Sequence, residues 1–174
     1  MYLEIPFLLT LPTVDDIFSK IVSLGKGSHI FKVDISRAFR HLKICPRDYK
    51  LLGVKHNGYY YDSCLCFGFR QGTNFFQRLS VRFMLKERNF SVINYVDDIC
   101  GFNTPSTSLE SFETLKKLLE ELGFEISKKK IVEPSTKVIC LGILFNTQDF
   151  SMSVPQEKLF KIIDMCKQWE NKHY

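Results

Sequence analysis

Apolar positions along this chain recur at two spacings. In some segments they fall every third or fourth residue, in others every second, with turn formers between. Thr13 followed by Asp16 predicts a capped helix that runs to about Leu24 and stops at Gly25. "HIFKVDI" (29–35) predicts a strand closing on Asp34, and "HLKI" a second strand broken by Pro46. Asn57-Gly58 between two strand-like runs predicts a type I′ hairpin. Phe76, Leu79, Phe83 and Leu85 give a helical apolar face after a Gly-containing loop. "SVINYVDDICGF" predicts two short strands around a tight turn, and "SLESFETLKKLLEEL" an amphipathic helix ended by Gly123. Strand-like "KVICLGILF" follows, and Pro155 suits the first turn of a last helix. The order is mixed, which predicts an α+β domain: a largely antiparallel sheet with helices packed on one face.

Composition places the chain among globular domains. It has 174 residues, 45% hydrophobic and 25% charged, with 16 Phe. The net charge of +5 suits a polyanionic partner without requiring one, and Arg37, Arg40, Lys43, Arg47 and Lys50 cluster around one segment. The six Cys form no C-x-x-C pair and the four His have no zinc spacing. Reduced, buried thiols in an intracellular protein are expected. No secretory signal and no long apolar span is present, so no membrane insertion is expected. The apolar opening "MYLEIPFLLTLP" reads as a strand or an edge.

Three carboxylates stand out. Asp97 and Asp98 lie side by side in an otherwise apolar run, and Asp34 ends an apolar strand. Buried carboxylates need a partner, and adjacent ones repel. One reading is a solvated hairpin tip, since Asp favours turns. The other places the two strands together, so that three hard oxygen donors meet at one end of a sheet and suit Mg²⁺ or Mn²⁺. A pair of such ions clamps both oxygens of a phosphoryl transfer.

The chain resembles the palm of a reverse transcriptase, of the retrotransposon type, either DIRS-like or LTR-type. Five motifs carry the resemblance, in order: "FKVDISRAF", "LCFGFRQGTNFFQ", "YVDD", "LGFEISKKK" and "VICLGILF". The resemblance implies one partial domain over 1–174. Its palm core spans about 29–146, an inserted part of the fingers about 40–70, and 147–174 starts a connection toward a thumb. It implies RNA-directed DNA polymerase activity with two Mg²⁺, or Mn²⁺ as substitute. The implied partners are an RNA or DNA template with primer, and deoxynucleoside triphosphates.

By the same resemblance, Asp34, Asp97, Asp98 and the Ile35 carbonyl hold the metals. Lys130, with Lys129 as runner-up, assists departing pyrophosphate; a solvated lysine run is the plainer alternative. Phe39 excludes a ribose 2′-hydroxyl, or is simply a core ring. Arg37, Arg70 and Gln71 contact nucleotide or template. Gly68 allows close backbone approach, and Gln77 braces the loop. Tyr95 touches the primer terminus, and Leu141 and Gly142 form a tight turn under the primer backbone. The second motif departs from the family: Cys66 replaces a usual Pro, and Gly72-Thr73 a usual small residue-Pro pair.

Only 33 residues precede Asp34, and the basic strand pair expected there is missing. About 30 residues follow the fifth motif, and no ribonuclease H carboxylate set is visible. The sequence therefore reads as a fragment or a truncated mobile-element copy. Two competing readings stand beside the polymerase core: a catalytically idle palm that binds nucleic acid or a partner protein, and a palm-like nucleotide cyclase. The Phe39 position and the "LCFG" loop disfavour the cyclase.

Overall fold

The computed structural model describes residues 10–69, 71–79 and 90–170. Helix α1 (Val14–Leu24) starts at a full capping box. The Asp16 amide donates to the Thr13 hydroxyl, and the Thr13 amide donates to the Asp16 carboxylate at 2.7 Å. It ends at Gly25, whose φ of 90° suits a residue without a Cβ.

The central sheet is built from β1 (His29–Asp34), β4 (Val92–Tyr95), β5 (Asp98–Asn103) and β6 (Val132–Ser135), in the order β4-β5-β1-β6. All its pairings are antiparallel. Between β1 and β4 lie β2 (Gly53–Lys55), β3 (Tyr59–Tyr61) and α2 (Gly72–Leu79). Helix α3 (Ser108–Glu121) follows β5. A second sheet contains β7 (Lys137–Cys140), β8 (Ile143–Asn146) and β9 (Ser151–Ser153), and α4 (Gln156–Glu170) comes last.

Strand alternation divides the core in two. On one face Phe31, Val33, Ile35 and Ile99 pack against Phe76 of α2 and Phe112, Leu115 and Leu119 of α3. On the other, Ile30, Cys100 and Phe102 pack against Ile17 and Ile21 of α1 and against Val138, Cys140 and Phe145 of the second sheet. Two helices thus share one face as expected, while α1 joins the second sheet on the other. Gly101 faces Phe31 across the β1–β5 pair, and a Cβ there would lie 2.0 Å from the ring. The Cys100 and Cys140 thiols meet at 3.1 Å between the two sheets. Their mutual hydrogen bond and burial push the Cys100 thiol far up, so it stays protonated.

Several local expectations are corrected. The expected strand at 41–44 does not form: His41 ends the 3-10 turn Ala38–His41, Pro46–Leu52 is a second 3-10 turn, and the segment between them makes the isolated bridge Lys43↔Cys64. The β2–β3 connection spans three residues, because Lys55 pairs with Tyr59; Asn57 has φ 47° and Gly58 φ 148°. "KVICLGILF" is two strands with a turn at Leu141–Gly142. Burial of the thiols holds for Cys100 and Cys140, whereas Cys45 and Cys166 are exposed. Phe83 and Leu85 lie outside the described residues. Among the described residues no helix is long and apolar enough to cross a membrane.

Candidate active site

The β1–β5 register sets Asp34 directly opposite Asp98 at the end of the pair, and Lys32 opposite Cys100. Because side chains alternate, all four share one face. Along β1 that face reads Ile30, Lys32, Asp34, passing from core to rim. The Asp34 side chain is only 3% exposed. Burial raises its pKa; the hydrogen bond from Lys130 opposes this, and the facing Asp98 carboxyl adds to the rise.

Two ammonium groups neutralise the pair. Lys130 Nζ lies 2.9 Å from Asp34, and Lys32 Nζ 2.9 Å from Asp98. Lys130 stands on the 3-10 turn Lys128–Lys130, whose entry is fixed by the Ser127 amide donating to the Asp34 carbonyl. Its pKa is raised by Asp34 first, with Asp97 and Asp98 adding to the rise, so its ammonium sits in the field of all three carboxylates. Burial works against the Lys32 ammonium, yet its hydrogen bond and charge contact with Asp98 leave the pKa raised.

Asp97 sits in the two-residue turn between β4 and β5, and its carbonyl accepts from the Ile35 amide at 2.9 Å. The other turn residue, Val96, is left-handed with φ 56°, a strained conformation for a β-branched side chain. Gln77 of α2 holds it there. The Val96 amide donates to the Gln77 carboxamide oxygen, and the Gln77 nitrogen donates to the Asn94 carbonyl, both at 2.7 Å. Gln77 therefore braces the carboxylate-bearing hairpin.

Tyr95, Asp97, Asp98, Leu141, Gly142 and Lys158 share an open groove. Leu141 and Gly142 both have positive φ and form the expected turn. Lys158 Nζ donates to the Gly142 carbonyl at 3.3 Å and comes so near that a Cβ on Gly142 would lie 2.1 Å from it.

The other expected residues are more scattered. Phe39 packs edge-on against Phe67 and Phe76, at 5.3 and 5.8 Å between centroids. Gly68 has φ 87° with open space around it, so the turn itself, not a crowded approach, calls for glycine. Arg37 is left-handed and ion-paired with Glu125. The Gln71 carbonyl accepts the Phe75 amide at the start of α2. Arg70 lies outside the described residues. Among the described residues no group of three or more His, Cys, Asp or Glu side chains is gathered closely enough to hold a metal ion. Sequence reasoning missed Lys32, Phe67 and Lys158. Lys32 alone carried a signal, as a charge inside an apolar strand two residues before Asp34.

No protein-family model and no curated protein matches the sequence. Solved structures do match. The foamy viral protease-reverse transcriptase in complex with dsDNA has TM-score 0.69 and 24% identity, over 77% of this chain and 28% of that one. The same enzyme in complex with an RNA/DNA hybrid has TM-score 0.70 and 24% identity, over 83% and 20%. Native prototype foamy virus protease-reverse transcriptase has TM-score 0.60 and 24% identity, over 84% and 19%. The chain thus spans about a fifth to just over a quarter of the length of these structures. Its sheet, its carboxylate-bearing hairpin and the helices around them have the fold of a reverse transcriptase polymerase core.

Proposed function

We propose that this chain is the palm, with part of the fingers, of a retrotransposon-type RNA-directed DNA polymerase. It would add deoxynucleotides to a primer 3′ end by phosphoryl transfer on an RNA or DNA template. One observation carries the reading: Asp34 is paired with Asp98 beside a braced turn that bears Asp97, in a fold shared with an enzyme solved on dsDNA and on an RNA/DNA hybrid.

The donor chemistry fits Mg²⁺ or Mn²⁺. The carboxylates are hard oxygen ligands, and the Lys130 ammonium already stands as a positive charge among them. Asp34, Asp97, Asp98 and the Ile35 carbonyl would hold the ions. When bound, they supply charge that acidifies the primer hydroxyl and neutralises the triphosphate. The chain's own groups do the rest. Gln77 fixes the hairpin so that Asp97 does not wander. Lys130, exposed on its turn, donates to a phosphate oxygen of the departing pyrophosphate once Asp34 is otherwise neutralised. The Phe39 ring, held edge-on by Phe67 and Phe76, would be the wall that excludes a 2′-hydroxyl. Leu141–Gly142 and Lys158 would support the primer backbone along the groove shared with Asp97.

Primer extension on an RNA template with Mg²⁺ or Mn²⁺, beside Asp97→Asn, tests the reading. Extension by the unaltered chain and none by the variant is expected; equal extension by both would refute it. A second reading, an idle palm that binds nucleic acid or a partner protein, draws on the way Lys32 and Lys130 already neutralise Asp98 and Asp34. It predicts salt-sensitive binding of a template-primer duplex with no extension by either protein.

A further inference from the structure

The two lysines on the paired carboxylates differ in kind. Lys130 is 60% exposed, on a turn, and free to leave. Lys32 is 16% exposed and rises from inside β1, with Ile30 and Val132 beside it and Cys100 opposite it on β5. Its ammonium reaches Asp98 at 2.9 Å. A long side chain packed along an apolar wall, with its charge delivered to one acceptor, is a fixed strut rather than a mobile counter-ion.

We infer that Lys32 is a positioning residue that permanently holds the Asp98 carboxylate, so that an incoming divalent cation competes with Lys130 but not with Lys32. The inference rests on the reading of this site as a cation-holding polymerase centre. Asp98 is tied by backbone pairing to Asp34 on one side and by charge to Lys32 beneath. One of its oxygens is engaged before any cation arrives, so the load of holding the cation falls on Asp34 and Asp97. The strut also offsets one of three negative charges, which lets Asp34 and Asp98 face each other with no cation present.

The experiment uses the full chain, two substitutions and their combination, with Mn²⁺ as the probe. Thermal melts without metal come first. Lys32→Met leaves a half-buried carboxylate unmatched and Asp98→Asn leaves a mostly buried ammonium unmatched. Each should lower Tm by roughly 3 °C or more, and the double variant should recover at least half of the summed loss. Purely additive losses would overturn the Lys32–Asp98 link.

Mn²⁺ affinity, read by the loss of free-ion paramagnetic signal, comes next. Lys32→Met should tighten Mn²⁺ binding about tenfold when Asp98 is present and less than twofold in the Asp98→Asn background, on the scale of one charge contact. An unchanged affinity, or equal tightening in both backgrounds, would overturn the positioning role. Failure of the underlying reading looks different: the unaltered chain would take up no Mn²⁺ at millimolar concentration while the melting cycle still showed coupling. That result removes the cation role of Lys32 together with the proposed function and leaves only a structural ion pair.

Discussion

Lys130 and Asp34, 96 positions apart in the chain, meet at 2.9 Å on the rim of the sheet. The lysine is largely exposed and the carboxylate almost wholly buried. Removing the lysine strands that buried carboxylate without its counter-charge. Lys130→Met should therefore lower Tm by roughly 3 °C or more at neutral pH, while lowering single-turnover nucleotide incorporation by about a hundredfold or more, the scale of a lost proton donor. Lys129→Met, one position away, should stay within about twofold. Melting curves beside rapid-quench primer extension give both numbers.

Asp34 contributes to the pH dependence of the fold. Burial raises its pKa above the ordinary 3.8, so the folded state binds the proton more tightly than the unfolded chain does. Its contribution to stability is fully present below pH 3.8 and is lost as pH rises through the raised value. Asp34→Asn should consequently stabilise the metal-free chain near pH 7 by about 1 kcal/mol, or roughly 2–4 °C, while ending incorporation. The gain should vanish below pH 3.8. Urea titrations across pH 3–7 trace the difference; a gain that persisted at the acid end would assign it to some other cause.

Gln77 spans the gap between α2 and the hairpin with two 2.7 Å bonds in a buried setting. Gln77→Leu removes both and leaves the left-handed Val96 without that restraint. A loss of about 2–4 kcal/mol is expected, seen as a lower urea midpoint at an unchanged m-value. Gln77→Glu keeps an acceptor for the Val96 amide but loses the donor to Asn94, and should fall between the two.

Phe39 stands with one edge toward Phe67, which is 79% exposed, and another toward the buried Phe76. Phe39→Val removes the ring while keeping an apolar residue. Ribonucleotide use relative to deoxynucleotide use should rise about tenfold or more, as expected when a pocket loses a bulky wall. A ratio that stayed fixed in an active variant would make Phe39 a packing residue and nothing else.

Much of this arrangement is legible in the sequence. The Thr13–Asp16 box, the strand closing on Asp34 and the tandem carboxylates on a tight turn are local patterns, and local chemistry decides them. Register is not local. Nothing in "FKVDI" or "VDDICG" says that Lys32 will lie beside Cys100 and reach Asp98, because that depends on which residue of β5 faces which of β1. The Gln77 brace was invisible for the same reason: it needs α2 placed against the hairpin. The strand expected at 41–44 failed because its apolar residues, Leu42 and Ile44, line a pocket with Leu51, Leu52 and Leu65 between two 3-10 turns instead of alternating across a sheet.

Gly101 carries a last consequence. The Phe31 ring fills the volume that any side chain at 101 would need, and the same ring meets Phe112 of α3 edge-on at 5.5 Å. Adding a single methyl there would shove that ring into the helix behind it and pry β5 away from β1. The tandem aspartates would then lose their alignment with Asp34 without being touched. In a saturation library this one interior position should accept no replacement at all, including alanine, and a sequence drifting out of use would betray itself there as plainly as at its acidic residues.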